Sequence, residues 1–380
     1  MPVKARYRTA VYHLWDGALA ADGHGLHNHC GIPSDSPAAS YLGMQSRRCT
    51  TMQAFTDFIT ECDRGPRLNQ LAGFFAETAA GKAGMPIRRP AVDTRLLPYD
   101  ILLHRFVELH SRRQGFFDQH YHSSIPYRLE EECRMAHALL RYSQLNTNDV
   151  LLYSLGTGEG TMARSLSELS RGSIRSLSCS PNAENYKCFM AFGEPAHASF
   201  FLGPFHRLTK EHLRSDKKLE PFSDGFDFIL EDTTFQMYSP NRPKQIEFVA
   251  QHLKADGILL LLEKFRAVDA GEYQGRESQK DFGFKTHYFG TEEIARKTKL
   301  VLTTMHDGQV TLAEMARAVY AQFKHCVVTW NSGNFYGLAA SNSRENLWRY
   351  LSLMVHPAIP FEYVYEPEPY TDLARWVGSL

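Results

Sequence analysis

Leu151-Leu152-Tyr153-Ser154-Leu155-Gly156-Thr157-Gly158-Glu159-Gly160 decides the fold of this chain, because an apolar strand runs directly into closely spaced glycines. The residues from Thr161 to Leu169 follow at once and have the pattern of a helix. Glycine is needed where backbone takes a positive φ or passes close to a ligand, and the following helix presents free N–H groups over such a loop. The stretch predicts a ligand-binding strand–loop–helix unit, and its ligand can still be a dinucleotide, a phosphate or another nucleotide.

Further apolar stretches extend this unit into a sheet. Phe226–Asp232 has the pattern of a buried strand that ends in two carboxylates, and residues 325–342 have the pattern of two strands joined by a tight turn. Strands and helices alternate between them, with strands predicted at 150–155, 173–178, 198–202, 226–231 and 258–264, and helices at 161–170, 182–192 and 242–253. Such alternation is typical of a parallel sheet covered on both faces, with ligands at the carboxyl ends of its strands.

Together these motifs resemble the class I S-adenosylmethionine (SAM)-dependent methyltransferase superfamily over residues 149–342. In that family a glycine-rich turn closes the first strand, an F-D-x-I-x-x-D-like strand is the fourth, and an antiparallel hairpin ends the sheet. The resemblance implies an α/β, Rossmann-like fold with a seven-stranded, mostly parallel sheet and an antiparallel C-terminal hairpin. It also implies SAM as the cofactor and a mainly helical accessory region at the N-terminus.

The cofactor-binding residues that the resemblance implies lie at the ends of the first, second and fourth strands: Tyr153, Gly156, Thr157, Gly158, Gly160, Cys179, Ser180, Asn182, Asp232 and Thr233. The chain departs from the family at the second strand, because Leu177–Asn182 contains no carboxylate for the ribose hydroxyls. A neutral side chain there supplies weaker hydrogen bonds than a carboxylate does. For Cys179, a role as a small buried residue is equally open.

The catalytic candidates are Asp232, Glu231, His287 and Tyr121. A carboxylate at the end of the fourth strand can act as a base or orient a substrate, and a structural ion pair is the alternative. A neutral imidazole accepts a proton near pH 7, which makes His287 a candidate general base. Tyr121 lies in the aromatic segment 115–127, where the resemblance implies a lid, and a packed connector is the alternative. An aromatic ring there attracts the sulfonium through a cation–π contact.

The chain is expected to contain four regions. These are an accessory N-terminal segment (1–98), a helical lid (99–148), the SAM-binding domain (149–345) with an insertion at about 266–323, and a C-terminal extension (346–380). Helices outside the core pattern are predicted at 51–62, 68–80, 99–113, 128–142, 291–302 and 311–323. Thr311 with Glu314 has the pattern of a capping box at the start of the last of them.

Composition restricts the partners of the protein. Its 380 residues carry 42 basic and 42 acidic side chains without a dense basic run, so a small-molecule substrate is expected rather than nucleic acid. No stretch approaches the roughly 20 apolar residues that cross a bilayer, so no membrane partner is expected. The chain has seven cysteines and no C-x-x-C pair, which favours a reduced, cytoplasmic protein. No metal is expected, because the H-x-H pattern of His120 and His122 is not accompanied by the further ligands of a metal site. The sequence is compatible with a homodimer.

The sequence therefore predicts a SAM-dependent methyltransferase that acts on a small metabolite of secondary metabolism. One alternative keeps SAM but breaks a different bond, by cyclisation to azetidine-2-carboxylate or by aminocarboxypropyl transfer, with release of methylthioadenosine. The other is a non-catalytic partner protein with the same fold.

Overall fold

The computed structural model of this chain describes residues 55–378, of which residues 57–378 belong to one compact unit. Most of the predicted accessory segment, including residues 51–54 of its first predicted helix, lies outside the described residues. The helices that precede the sheet are α1 (Thr56–Asp63), α2 (Ala72–Ala79), α3 (Ile101–Arg113), α4 (Phe116–His122) and α5 (Arg128–Gln144). The predictions at 99–113 and 128–142 are thus confirmed to within two residues, and the segment between them contains α4.

The sheet has seven strands: β1 (Val150–Leu155), β2 (Ile174–Ser180), β3 (Ala198–Leu202), β4 (Phe226–Asp232), β5 (Leu253–Lys264), β6 (His325–Ser332) and β7 (Phe335–Ser341). Their order is β3-β2-β1-β4-β5-β7-β6. Strands β1 to β5 pair in parallel, whereas β7 is antiparallel to both β5 and β6. This confirms the predicted α/β fold with a mostly parallel sheet and an antiparallel hairpin at its C-terminal end.

The helices that follow β1 are α6 (Thr161–Leu169), α7 (Ala183–Met190), α8 (Lys210–Ser215), α9 (Arg242–Ala250), α10 (Ala270–Ser278), α11 (Thr291–Lys297), α12 (Thr303–His306), α13 (Leu312–Tyr320) and α14 (Arg344–Leu351). The capping box predicted for α13 is present, since the Thr311 hydroxyl accepts from Glu314 N (3.2 Å) and the Glu314 carboxylate from Thr311 N (2.7 Å). The helix predicted at 291–302 is α11 continued by a π-helical turn at Thr298–Leu302. Helix α10 was not predicted.

Helix α5 connects the lid region to the core of the sheet. Its apolar residues, among them Cys133, Ala136 and Leu140, are buried in one cluster with strand residues such as Leu152 and Phe228. The rings of Tyr142 on α5 and Phe228 meet edge to face with centroids 4.9 Å apart, an arrangement that aromatic pairs favour. This contact joins the C-terminal part of α5 to the first half of β4, while Arg128 at the start of α5 donates to Asp232 at the carboxyl end of β4. Among residues 55–378, none of the helices combines the length and the apolar character that spanning a membrane requires.

Candidate active site

The glycine loop between β1 and α6 has the conformation that its sequence predicts. Gly156, Gly158 and Gly160 have φ values of 68°, 59° and 70°, in the left-handed region that side chains disfavour. Space is also restricted, because a Cβ at Gly158 would lie 2.5 Å from the ring of Phe117, and one at Gly156 would overlap the hydroxyl of Thr234. The loop therefore runs tightly between β4 and the helix α4 above it.

A cavity of about 1050 Å³, counted to its open mouth, lies at the carboxyl edge of the sheet. Its floor includes Gly156 and Thr157 from the glycine loop and Asp232 and Thr233 from the end of β4. Its cover includes Phe74 and Phe75 from α2 and Phe117, Asp118 and Tyr121 from α4. Predicted cofactor and lid residues that are distant in sequence are thus brought to one space.

The side chain of Asp232, on this floor, is fixed by hydrogen bonds from two donors. It is 6% exposed and accepts hydrogen bonds from the Tyr121 phenol and the Arg128 guanidinium, while the phenol also lies 3.0 Å from Thr233 Oγ1. Burial and the neighbouring charge of Asp232 raise the pKa of Tyr121 well above 10, so the phenol keeps its proton and donates it. The arrangement holds the carboxylate in one orientation between two donors.

A second carboxylate supports this arrangement from α5. Glu132 Oε2 lies 3.1 Å from the Arg128 guanidinium, and Glu132 also accepts from His110 Nε2 (2.5 Å) and His122 Nε2 (3.2 Å). Burial alone would raise the pKa of Glu132, but the charges of His122 and Arg128 hold it well below 4.5. Arg128 therefore stays between two anions, and Asp232 is positioned through α5 as well as through Tyr121.

Asp118 is a site residue that the sequence did not reveal. It is 7% exposed, it lines the cavity, and its Oδ2 has no hydrogen-bond partner among the described residues. Burial and the charge of Glu159 raise the pKa of Asp118 well above 3.8. Glu159, from the glycine motif, accepts from Phe117 N (3.1 Å) and Asp118 N (3.2 Å) and so holds the start of α4 over the loop.

The end of β2 is closed by the protein itself. Ser180 Oγ accepts from Asn182 N (3.2 Å), Asn182 Nδ2 donates to the carbonyl of Phe75 on α2 (2.9 Å), and the Tyr153 hydroxyl donates to Cys179 Sγ (3.2 Å). These four predicted cofactor residues do not line the cavity. At Asn182 the cause is α2, which contacts this strand end from a distant part of the chain.

Glu231 and His287 are also placed outside the cavity. Glu231 is fully buried and accepts from Thr234 N (2.6 Å) and Phe235 N (3.0 Å), so it shapes the turn after β4 rather than facing a substrate. Burial and the nearby charge of Glu263 raise the pKa of Glu231 well above 4.5. His287 lies on the exposed side of the insertion. The structure therefore does not bring the side chain of either residue, proposed from sequence as catalytic, into the cavity that Asp232 lines.

His120 and His122 diverge although they are two residues apart. His122 is held by Glu132, whereas His120 Nδ1 donates to the carbonyl of Gly84 (2.5 Å). Within the part of the chain that the structure describes, no three His, Cys, Asp or Glu side chains are grouped as metal ligands.

The strand order, the glycine loop and the cavity at the carboxyl edge give this chain the fold of the class I SAM-dependent methyltransferases. The solved structures that resemble it include the plantazolicin methyltransferase BpumL in complex with SAH (13% identity, 64% of this chain and 100% of that chain, TM-score 0.40). Others are a putative O-methyltransferase from Klebsiella pneumoniae (14%, 66% and 94%, TM-score 0.36) and human N-acetylserotonin methyltransferase in complex with SAM (12%, 72% and 67%, TM-score 0.38). The sequence matches no protein-family model and none of the curated proteins.

Proposed function

We propose that this protein is a SAM-dependent methyltransferase that acts on a small metabolite of secondary metabolism. The observation that supports this most is the position of the cavity, which lies over the glycine loop where β1 and β4 end. In open α/β sheets, ligands bind at this edge and at this reversal of strand order.

The residues of the cavity fit the different parts of SAM. The backbone of Gly156 and Thr157 can approach the methionine portion, and the free Oδ2 of Asp118 is an acceptor for its ammonium group. A cation next to Asp118 favours the ionised carboxylate, which offsets the effect of burial. The rings of Phe117 and Tyr121 lie nearly parallel, with centroids 6.4 Å apart, and offer faces that attract a sulfonium.

When bound, SAM supplies a methyl group on a positively charged sulfur, which is already a strong electrophile. The residues of this chain would then align an acceptor and exclude water, which is how enclosed sites accelerate such a transfer. Asp232, oriented by Tyr121 and Arg128, would accept a hydrogen bond from the acceptor's hydroxyl or amine.

A second candidate, cleavage of SAM with release of methylthioadenosine, is favoured by the closed end of β2. Because Asn182 is bonded to Phe75 there, the ribose has to be held elsewhere in the cavity, next to other side chains than in most relatives of this fold. A different placement of the sugar permits a different bond of the sulfonium to face the nucleophile.

Product analysis tests both candidates. The purified full-length protein is titrated with SAM by calorimetry and then incubated with SAM, with and without a pool of candidate acceptors. S-adenosylhomocysteine that forms only with the acceptors supports methyl transfer, whereas methylthioadenosine formed without them supports cleavage. Absence of SAM binding would exclude both and leave the non-catalytic partner.

A matched pair of variants locates the binding site. Asp118→Asn removes the negative charge proposed to bind the ammonium group and should weaken SAM binding about tenfold, equivalent to about 1.4 kcal/mol. Asp227→Asn is the control, because Asp227 lies at the opposite end of β4, is paired with Lys254, and should leave SAM binding unchanged. Equal affinities of the two variants would contradict the assignment of Asp118.

A further inference from the structure

One wall of the cavity carries four lysines. Lys264 ends β5, and Lys280, Lys285 and Lys297 follow in the insertion, so that all four line the same space. Lys264, Lys280 and Lys285 are at most 4% exposed, and Lys297 is half-buried. Lysine is almost never so deeply buried unless it is paired. This concentration therefore requires enough carboxylates, a bound anion, or the loss of a proton from some of the ammonium groups.

The carboxylates paired with these lysines in the described residues are too few to balance them. Glu277 Oε2 lies 2.7 Å from Lys264 Nζ and 2.5 Å from Lys280 Nζ, and Asp281 Oδ1 lies 2.7 Å from Lys285 Nζ. The ammonium of Lys297 instead donates to the neutral partners His120 Nε2 (2.6 Å) and Ser124 Oγ (2.8 Å). When all four lysines are protonated, two carboxylates face four cations.

This excess of positive charge is reflected in the pKa values of the lysines. Burial, and after it the charge of Lys280, lowers the pKa of Lys264 to about 7 and that of Lys285 to about 8. The pKa of Lys297 is held well below 10.5 by burial and by the charges of Lys285 and Lys280. Lys280 differs, because Glu277 and Asp281 outweigh its burial and raise its pKa. Three of the four ammonium groups would thus be stabilised by an additional anion.

This lysine wall lies near the end of β5 rather than over the glycine loop at the end of β1. Strand β5 is two strands away from β1, which is about 10 Å at the usual spacing between strands. Asp232 pairs with Leu262, so Lys264 lies two residues further along the strand direction than Asp232 does.

We infer that the acceptor substrate of this protein carries an anionic group, a phosphate or a carboxylate, and that Lys264, Lys285 and Lys297 bind it. The inference rests on the proposed function, since it names the substrate class for the same cavity. Lysine binds phosphate and carboxylate alike as a compact charge, so the shared chemistry is the anion. The bound anion would hold the substrate near Asp232, and Lys297 is the most exposed of these three lysines.

The test measures binding of inorganic phosphate and of acetate to the full-length protein, from the thermal midpoint against anion concentration with chloride at equal ionic strength as the reference. At least one anion should stabilise the wild type more than chloride does. Lys297→Met and Lys285→Met should each raise its apparent dissociation constant about tenfold or more. The control Lys187→Met removes an exposed lysine paired with Glu184 and should leave the constant unchanged.

Three results would overturn the inference: no stabilisation beyond chloride, equal constants in all variants, or loss of anion binding when SAH saturates the protein. The last would mean that the lysines bind the cofactor's own carboxylate.

If Lys285→Met does not fold, Lys297→Met decides, because the side chain of Lys297 is only half-buried. SAM binding is measured on the same samples. A wild type that binds SAM but neither anion refutes this inference alone, and one that binds an anion but not SAM refutes the proposed function.

Discussion

The glycine loop yields a prediction whose magnitude follows from its geometry. In Gly156→Ala, the residue keeps a φ of 68°, which costs an L-residue about 1–2 kcal/mol. The new Cβ would also overlap the Thr234 hydroxyl and lie 2.6 Å from its Cγ2 and 2.7 Å from its Cβ. Overpacking of this kind costs about 1–3 kcal/mol. The expected loss in the free energy of unfolding is therefore about 2–5 kcal/mol.

The side chain of Thr234 cannot move away from the new Cβ without losing hydrogen bonds. Its hydroxyl donates to the carbonyl of Asp232 (3.1 Å) and its amide donates to Glu231 Oε1 (2.6 Å), so displacing it disturbs the turn after β4. The matched control is Gly193→Ala, with a φ of 85° and no heavy atom within 4 Å of the new Cβ. That variant has the backbone strain without the overlap, so it should lose only about 1–2 kcal/mol.

Urea denaturation with linear extrapolation measures both variants. Gly156→Ala should be less stable than Gly193→Ala by about 1–3 kcal/mol. In Gly156→Ala/Thr234→Ala the overlap with the hydroxyl is removed, so the double variant should be more stable than the sum of the two single losses predicts. Equal losses in the two glycine variants, or additive losses in the double variant, would refute the close contact between the loop and β4.

Three further predictions concern the cover of the cavity. Tyr121→Phe removes a hydrogen bond to a charged carboxylate, so urea denaturation should show a loss of about 1.5–3 kcal/mol, and an unchanged stability would contradict the contact with Asp232. Because burial and Glu159 raise the pKa of Asp118 well above 3.8, the folded protein keeps a proton that the unfolded chain releases, and stability falls as pH rises above about 4. Asp118→Asn should remove this fall, so its stability relative to wild type should increase from pH 4 to pH 7, and a constant difference would contradict it. In Glu159→Gln one acceptor of the α4 amides becomes a donor, so hydrogen exchange at residues 117 and 118 should accelerate about fivefold to tenfold, whereas wild-type rates would show that Glu159 does not hold the helix.

The parts of the fold that follow from local sequence were predicted well. Strand β1 has the predicted bounds, and the capping box of α13 is formed as its T-x-x-E pattern indicates. Helix α10 was missed because Gly271 and Gly275 disfavour a helix interior. Its start is nevertheless fixed by Asp269, whose side chain accepts from Glu272 N at 2.7 Å.

The candidate site was predictable only where it depends on strand ends. Asp232 and the glycine loop converge because parallel strands end at one edge, and this arrangement can be read from periodicity. The closure of β2 depends on Asn182 and the carbonyl of Phe75, which are 107 residues apart, and no local pattern encodes that contact. The lysine wall was missed for the same reason, since its members are brought together by the packing of the insertion over β5 rather than by their spacing.

The most direct measurement of the central claim is hydrogen exchange of the full-length protein with and without SAH. If SAM and its product bind over the glycine loop, the amides of residues 156–160 and of α4 (Phe116–His122) should be protected, while those of α8 (Lys210–Ser215) should exchange unchanged. Exchange that SAH leaves unaltered at the loop and at α4, or protection confined to other elements, would contradict the account.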